Sequence, residues 1–285
     1  MLCWGWTMAG ALGRPWPQGD VGPALGISDA VQVAAGRDHS CALRRNGDVA
    51  CWGQNEHGEV GDGTTTKRDT PVPVIRLAGA TQVVAGMHHS CARLRSGAVS
   101  CWGNIPGQIR SAPRPGRSFG DIVNHSKPVP VGGAAGALRL AAGNSHVCAQ
   151  LLGGRLACWG SFFPGDRDAD QVSIHKRAVP LGGISNVAGV ATGDSFTCAL
   201  HGSGEVSCWG YGLSGELGHG KLEIRPRPVQ VAGLADAVEI AAGHSFACAR
   251  RKTGAVVCWG DNTHCQLGNS NGPFLLEATR VDELR

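Results

Sequence analysis

The feature that most constrains this chain is a tripeptide that recurs about every fifty residues. Successive copies of Cys-Trp-Gly are separated by 48, 50, 57, 50 and 50 residues, and they begin at Cys3, Cys51, Cys101, Cys158, Cys208 and Cys258. Before each of the last five copies a further cysteine stands ten positions earlier, at Cys41, Cys91, Cys148, Cys198 and Cys248. Self-similarity at a fixed period indicates an array of one structural unit.

Each unit has the pattern of four short β-strands. In the first full copy, three apolar runs are Val31–Val33, Ser40–Leu43 and Val49–Trp52, and they are separated by glycine turns. One of these turns is Arg45-Asn46-Gly47, because Asn-Gly tolerates positive φ. The prolines in Pro71–Val74 suit an outer, edge strand. No stretch has a convincing helical period, so the sequence predicts an all-β fold, a β-propeller of four-stranded antiparallel blades.

The repeat predicts about five complete blades and a partial N-terminal blade within one propeller domain, 1–285. The units are approximately 1–30 (partial), 31–80, 81–137, 138–185, 186–236 and 237–285. The N-terminal piece carries Cys3-Trp4-Gly5 without the hairpin that precedes this tripeptide elsewhere. We therefore expect the chain to be a fragment, or its true start to lie upstream. A closed ring of five or six blades is the alternative.

Composition excludes several classes of protein. The net charge is 26 − 22 = +4 over 285 residues, and 42% of the residues are hydrophobic. These values argue against a disordered chain and against a strongly basic nucleic-acid binder. No apolar run approaches the ~18 residues of a membrane span, and no signal peptide is visible at the start. We expect a monomer that binds an unknown protein partner, without nucleic acid and without a membrane span.

The ten regularly spaced cysteines are expected to form one disulfide bond in each complete blade. A three-residue hairpin loop with a glycine bulge places Arg44 opposite Asp48, so that Cys41 faces Cys51. Opposed residues on antiparallel strands approach the separation that a disulfide needs. The predicted bonds are Cys41–Cys51, Cys91–Cys101, Cys148–Cys158, Cys198–Cys208 and Cys248–Cys258. The alternative is that these cysteines are reduced and pack as small apolar residues.

Twelve cysteines are many for a reducing compartment. The expected location is therefore extracytoplasmic, secreted or at the cell surface, if the true N-terminus lies upstream, and otherwise cytoplasmic. Cys3 and Cys265 stand outside the five pairs, and the sequence does not decide whether they are bonded.

No catalytic, cofactor-binding or metal-binding residue is predicted. Structural zinc usually needs close Cys-x2-4-Cys pairs, and none occurs. The segment His39-Ser40-Cys41 is suggestive of a catalytic triad, but Phe196 and Phe246 replace the histidine in later repeats. No phosphate-binding or dinucleotide-binding glycine motif is present. The recurring tryptophans are expected to fill equivalent packing positions, and they are Trp52, Trp102, Trp159, Trp209 and Trp259.

Two adjacent loops depart from the repeat and are the candidate partner-binding surface. The loop 104–127 contains the basic residues Arg110, Arg114 and Arg117. The next loop, 161–177, contains Phe162-Phe163 directly after its first residue. Exposed aromatic side chains are unfavourable without a partner, so this pair is the most informative element. The alternative is a pair of surface loops without a function.

The repeat resembles that of the regulator of chromosome condensation family over essentially the whole chain. The resemblance rests on Ala34–Leu43 with Gly47–Gly53, on Gly58–Gly63, and on Gly215–Gly218. It implies a β-propeller, which has seven blades in the best-known members, so this chain would be incomplete relative to that ring. The cysteine-bearing form is similar to bacterial members.

The resemblance also implies a function. The first expectation is a non-enzymatic scaffold that engages a protein partner through its variable loops. One alternative is a guanine-nucleotide exchange factor for a small GTPase, the activity of the nuclear member, which requires a reducing, intracellular setting. A second is a secreted enzyme inhibitor or cell-surface protein, since a bacterial member inhibits β-lactamases. An enzyme is the least favoured, because no singular cluster of acids, bases or metal ligands stands out.

Overall fold

The computed structural model describes residues 2–4, 10–14, 21–109, 122–163, 172–268 and 272–281. Within these ranges the chain forms 22 β-strands and no helix. The described residues accordingly include no helix with the length and apolar character needed to cross a membrane. Within each sheet, strands that follow one another in the chain pair as antiparallel neighbours, as strands joined by short hairpin loops do.

The strands form one two-stranded sheet and five four-stranded sheets. The two-stranded sheet pairs β1 (Leu2–Trp4) with β2 (Val21–Pro23). The four-stranded sheets follow in chain order and are numbered here as repeats 1 to 5. Repeat 1 comprises β3 (Ala30–Ala35), β4 (His39–Arg44), β5 (Val49–Gly53) and β6 (Arg68–Pro73). Repeat 2 comprises β7 (Ala80–Ala85), β8 (His89–Leu94), β9 (Val99–Ile109) and β10 (Ile122–Pro130).

The remaining three repeats have the same order of strands. Repeat 3 comprises β11 (Ala137–Ala142), β12 (His146–Leu151), β13 (Arg155–Phe162) and β14 (Ser173–Pro180). Repeat 4 comprises β15 (Val187–Thr192), β16 (Phe196–His201), β17 (Val206–Gly210) and β18 (Arg225–Gln230). Repeat 5 comprises β19 (Ala237–Ala242), β20 (Phe246–Arg251), β21 (Val256–Asp261) and β22 (Phe274–Arg280).

The predicted all-β fold of four-stranded antiparallel blades is confirmed. The partial N-terminal blade is confirmed as well, among the described residues of that segment. Its strand β1 pairs Cys3 with Gly22, just as β5 pairs Cys51 with Val72. The two-stranded sheet therefore corresponds to the third and fourth strands of a repeat.

The chain divides into two compact units, Met1–Ala142 and Gly143–Arg285. In the first unit, Trp102 of repeat 2 belongs to a buried cluster that contains Cys41 and Cys51 of repeat 1. In the second unit, Trp209 of repeat 4 belongs to a cluster with Cys148 and Cys158 of repeat 3. The core of each unit is thus apolar side chains shared between successive sheets, and burial of that apolar surface is the main stabilising term.

The hairpin between the second and third strands has the predicted geometry. In repeat 1 the Arg44 amide donates to the Asp48 carbonyl at 2.8 Å, and the Gly47 amide donates to the Arg44 carbonyl at 2.9 Å. Gly47 has a φ of 90°, which glycine adopts without the steric cost of a side chain. This turn fixes the register that sets Cys41 directly opposite Cys51.

Candidate functional site

A cross-strand disulfide bond lies at the same place in every four-stranded sheet. The five bonded pairs have Cα–Cα distances of 4.0 to 4.1 Å, and they are the five predicted pairs. Such short distances are typical of the closely spaced, non-hydrogen-bonded pairs of an antiparallel ladder. Cys3 and Cys265 are free thiols, the first half-buried and the second exposed.

The recurring tryptophans occupy equivalent buried positions. All five are at most 1% exposed: Trp52, Trp102, Trp159, Trp209 and Trp259. In four cases the indole N–H donates to a backbone carbonyl of the preceding repeat, with Trp52 bonding Ala11, Trp102 bonding Glu59, Trp209 bonding Phe163 and Trp259 bonding Glu216, at 2.7 to 3.1 Å. Each of these tryptophans therefore combines apolar burial with a satisfied polar group, and it joins neighbouring repeats.

The loop between the third and fourth strands begins with a tight turn that receives this tryptophan. The last glycine of the turn is Gly61 in repeat 1 and Gly218 in repeat 4, with φ of 74° and 63°. A Cβ atom at Gly61 would lie 2.9 Å from Trp102, and one at Gly218 would lie 2.8 Å from Trp259. Glycine is needed at this place both for its backbone conformation and for the approach of the indole.

A carboxylate or amide side chain caps the same turn. A Glu59 oxygen accepts the His57 N–H at 2.9 Å in repeat 1, and a Glu216 oxygen accepts the Ser214 N–H at 2.7 Å in repeat 4. In repeat 5, Gln266 takes the position and accepts the His264 N–H at 2.9 Å. The acid is therefore a structural part of the repeat, and a neutral amide performs the capping role equally.

Two histidines are added to this turn in repeat 1 alone among the described copies of the turn. The ligand atoms of His57, Glu59 and His88 all lie within 4.8 Å of one another. Glu59 Oε1 is 3.4 Å from His88 Nδ1, and the two imidazole rings are edge to face with centroids 4.8 Å apart. Asn124 on β10 places its amide nitrogen 3.2 Å from His57 Nδ1. His57, Glu59 and His88 are the residues that could hold a metal ion.

The charge state of Glu59 reflects this environment. Burial alone would raise the pKa of the Glu59 carboxyl, but the neighbouring imidazole of His88 and hydrogen bonds from backbone N–H groups outweigh burial and lower it. In repeat 4 the balance is reversed: burial raises the pKa of the Glu216 carboxyl, and no histidine of the described chain stands beside it to offset burial. The serines Ser214 and Ser245 occupy the positions there that His57 and His88 occupy in repeat 1.

Sequence reasoning missed this cluster. His57 and His88 are 31 residues apart, and Glu59 belongs to the ordinary repeat. Comparison of the repeats position by position could have found it, because the corresponding residues of repeats 4 and 5 are the serines Ser214 and Ser245.

The histidine of the His-Ser-Cys segment does not belong to a catalytic triad in the described residues. His39 Nε2 contacts Ser90 Oγ of the next repeat at 2.8 Å, whereas Ser40 Oγ donates to the Ala11 carbonyl. Cys41 is disulfide-bonded and cannot act as a thiolate. His146 makes the equivalent contact with Thr197 Oγ1 at 2.8 Å. Burial lowers the pKa of both imidazoles to about 4, so both are neutral near pH 7.

The structure describes the key residues of only one of the two predicted partner-binding loops. Arg110, Arg114 and Arg117 lie outside the described residues, so their role stays a prediction. The expectation that Phe162 and Phe163 are exposed is wrong, because they are only 4% and 6% exposed. They pack in the cluster that contains Trp209, and the Phe163 carbonyl is the acceptor for that indole. The aromatic pair thus fills the space that a glycine-rich turn serves in repeats 1 and 4.

A different loop exposes large apolar side chains. Between β17 and β18, four side chains are 40 to 56% exposed: Tyr211, Leu213, Leu222 and Ile224. The loop is internally braced, since Glu223 accepts hydrogen bonds from Arg225 at 2.9 Å and contacts His219 at 3.0 Å. The apolar groups are therefore held on an ordered loop.

Tandem four-stranded antiparallel sheets, joined through buried tryptophans, define a protein of the β-propeller class. The family follows from comparison with known proteins. A family model described as "RCC1-like domain" matches residues 1–285, and the chain belongs to that family.

Curated relatives match short stretches of the chain. The human "Probable E3 ubiquitin-protein ligase HERC4" is 46% identical over 46 residues, which are 16% of this chain and 4% of that protein. The "Secretion-regulating guanine nucleotide exchange factor" of Mus musculus is 42% identical over 60 residues, which are 20% of this chain and 12% of that protein. The chain thus spans only a small part of the length of these relatives.

Solved structures are similar over nearly the whole chain. Human WBSCR16 has a TM-score of 0.83 at 23% identity, and the match covers 99% of this chain and 76% of that one. Prp20p from Saccharomyces cerevisiae, whose structure was reported with its binding to Gsp1p and histones, has a TM-score of 0.82 at 19% identity, covering 99% and 74%. At such identities the likeness is one of fold.

Proposed function

We propose that this protein is a non-enzymatic scaffold of the RCC1-like type that binds a protein partner through the loops between the third and fourth strands of its repeats. The carrying observation is the braced loop of repeat 4, which presents Leu213, Leu222 and Ile224 to solvent. Large apolar side chains that one loop exposes are unfavourable in water and favour coverage by a partner.

The basic loop of repeat 2 supplies a second element of the proposal. Arg110, Arg114 and Arg117 would contribute polar and charged contacts to a protein partner, because arginine is enriched at protein–protein interfaces. The net charge of +4 is too small to favour nucleic acid as the partner. We propose that residues 1–285 act as one propeller domain and that the protein is a monomer when free.

The disulfide bonds support an oxidising location. Five bonded pairs, one in each four-stranded sheet, are typical of extracytoplasmic proteins and rare where glutathione keeps thiols reduced. We therefore propose a secreted or surface-exposed protein, whose partner is found in the same compartment. A secreted inhibitor of an enzyme is one form that this binding can take.

Affinity capture with matched variants tests the binding proposal. The immobilised protein would be exposed to an extracellular fraction of the source cells, beside the variant Leu213→Ser/Leu222→Ser/Ile224→Ser and the control Val31→Thr/Val33→Thr. The control removes exposed apolar groups from β3, where both valines are more than half exposed. We expect one saturable partner that the wild type and the control retain and the loop variant loses. Equal retention by all three proteins would contradict the role of this loop.

A guanine-nucleotide exchange factor is the second candidate. The mouse exchange factor that matches 60 residues and the fold shared with Prp20p favour it. The test is release of a fluorescent guanine nucleotide from a small GTPase, with the protein kept reduced. Saturable acceleration by the wild type would support this candidate over the extracytoplasmic scaffold. Release at the intrinsic rate of the GTPase would count against it.

A further inference from the structure

We propose that His57, Glu59 and His88 bind a divalent transition-metal ion, with Zn²⁺ as the best fit, in a site that joins repeat 1 to repeat 2. This inference does not depend on the binding function proposed above. It concerns a cluster within the first compact unit that no part of the repeat architecture requires.

The distances suit a metal site better than a hydrogen-bonded pair. Glu59 Oε1 and His88 Nδ1 are 3.4 Å apart. This separation is long for an N–H···O hydrogen bond, which is usually 2.7–3.2 Å. Two ligands of a tetrahedral zinc ion, each bonded at roughly 2.0–2.1 Å, lie about 3.3 Å apart. All three ligand atoms are within 4.8 Å of one another, so small side-chain rotations complete the set.

The ligand types are those that zinc prefers when one coordination position stays open. Two imidazoles and a carboxylate form a recurrent three-residue set, and a water or a group from another molecule completes the tetrahedron. Imidazole nitrogen also suits Cu²⁺ and Ni²⁺, whereas Ca²⁺ and Mg²⁺ require more oxygen ligands. The site thus selects by chemistry for borderline transition metals.

The surroundings hold the ligands in place. The second Glu59 oxygen accepts the His57 N–H, so the carboxylate is fixed to its own turn with the first oxygen directed towards His88. The Glu59 side chain is 1% exposed and that of His88 is 32% exposed, which leaves the site accessible from one side. The amide nitrogen of Asn124 lies 3.2 Å from Nδ1 of His57 and contacts that ring from β10.

Comparison between repeats separates the site from the capping role of the acid. Repeat 4 has the same turn and the same capping acid, Glu216, but serine replaces both histidines. Repeat 5 keeps a histidine, His264, but has Gln266 instead of the acid. Among the turns that the structure describes, only the turn of repeat 1 brings all three ligands together, with His88 supplied by repeat 2.

Metal titration of the full chain tests the proposal. All proteins would carry Cys3→Ser and Cys265→Gly, so that no free thiol competes for metal, and any affinity tag would be removed. Glycine is the residue of the repeat at position 265, where the φ of Cys265 is 58°. Zn²⁺ would be titrated by calorimetry, and Co²⁺ by the visible absorption that reports tetrahedral coordination. We expect one ion per chain and an intense tetrahedral Co²⁺ spectrum.

The variants follow substitutions that the repeat itself tolerates. We expect His57→Ser, His88→Ser and Glu59→Gln each to fold and to weaken Zn²⁺ binding at least tenfold, because serine and glutamine occupy these positions in other repeats. The control His264→Ser removes a histidine from the same place in repeat 5 and should leave the affinity unchanged. Saturable binding that persists unchanged in His57→Ser and His88→Ser would overturn the site, as would the absence of saturable binding by the parent protein.

Discussion

At the scale of the residue, the first residue of the second strand matches the polarity of its contact in the next repeat at three of the described repeats, those that begin this strand with His39, His146 and Phe196. His39 contacts Ser90, and His146 contacts Thr197. Where phenylalanine replaces histidine at Phe196, the residue in the next repeat is Ala247, and both belong to one buried cluster. The buried imidazoles of His39 and His146 thus each have a hydroxyl partner, whereas the Phe196 ring has an apolar neighbour, in keeping with the cost of an unpaired buried polar group.

The buried, neutral imidazole of His146 predicts how the stability of the protein depends on pH. Burial lowers the pKa of His146 to about 4 in the folded protein, against 6.5 when exposed. Between these values the unfolded chain binds a proton that the folded one does not, so the free energy of unfolding falls as the pH decreases from about 6.5 to about 4. At about 1.4 kcal/mol for each unit of pKa, His146 contributes up to roughly 3 kcal/mol to that fall.

The variant His146→Phe/Thr197→Ala copies the pair found at Phe196 and Ala247 and removes the titrating group. We expect it to lose part of the acid sensitivity, while the slope that His39 causes remains. Urea unfolding at several pH values between 7.5 and 4 measures the difference. An unchanged pH profile in the double variant would show that His146 titrates normally.

Substitution of two glycines by alanine distinguishes the cost of backbone strain from the cost of a steric clash. Gly61 and Gly79 both have positive φ, at 74° and 67°. A Cβ at Gly61 would lie 2.9 Å from Trp102 and 3.0 Å from Val74, whereas one at Gly79 would meet nothing within 4 Å. We expect Gly79→Ala to cost on the order of 1 kcal/mol from the backbone alone. Gly61→Ala should cost about 1–3 kcal/mol more from overpacking. Equal urea midpoints for the two variants would contradict the proposed contact with the indole.

At the scale of the element, the hairpin between the second and third strands is the part of the fold that the sequence determines most directly. Arg45-Asn46-Gly47 fixes the turn, the turn fixes the register, and the register sets Cys41 opposite Cys51. All of these interactions are local, so they could be predicted from the sequence. The burial of Phe162 and Phe163 could not, because it depends on Trp209, 46 residues beyond the carbonyl that it contacts.

The disulfide bonds lead to a simple prediction for every hairpin at once. Protein denatured without reductant and treated with an alkylating agent should take up two labels, on Cys3 and Cys265. After reduction the number should rise to twelve, the full cysteine content. Mass spectrometry of the intact chain counts the labels. Ten or more labels without reductant would mean that these cysteines are reduced, and it would return the intracellular exchange factor to first place.

At the scale of the whole molecule, the repeat order was predictable and the candidate metal site was not. The same glycines, cysteines and tryptophan mark the strands in every repeat. Five copies of the pattern therefore support one prediction of the strand order. The cluster of His57, Glu59 and His88 arises only when consecutive repeats are brought together, and its members belong to two of them. Singular features of a repeat protein are found by comparing its copies with one another.

Because the five four-stranded sheets are built alike, corresponding strands should have similar protection against hydrogen exchange. The middle strands of the repeats, such as β5, are largely buried and hydrogen-bonded on both sides, whereas the first strand β3 alternates between half-buried and exposed residues. Hydrogen exchange should therefore be slowest in the second and third strands of all five sheets. Reduction of the disulfides should speed exchange in every sheet, and an effect confined to one sheet would contradict the equivalence.

The disulfide bonds also bear on how the chain acquires its structure during synthesis. Each bond joins a cysteine to the next one along the chain, ten residues later. A bond can therefore close as soon as its own hairpin has emerged, before the following pair exists to compete for it. Only Cys3 precedes the first pair as a competing thiol. We therefore expect vectorial oxidation to reach the native pattern with little reshuffling, so that an oxidant alone should suffice where proteins with interleaved bonds need an isomerase.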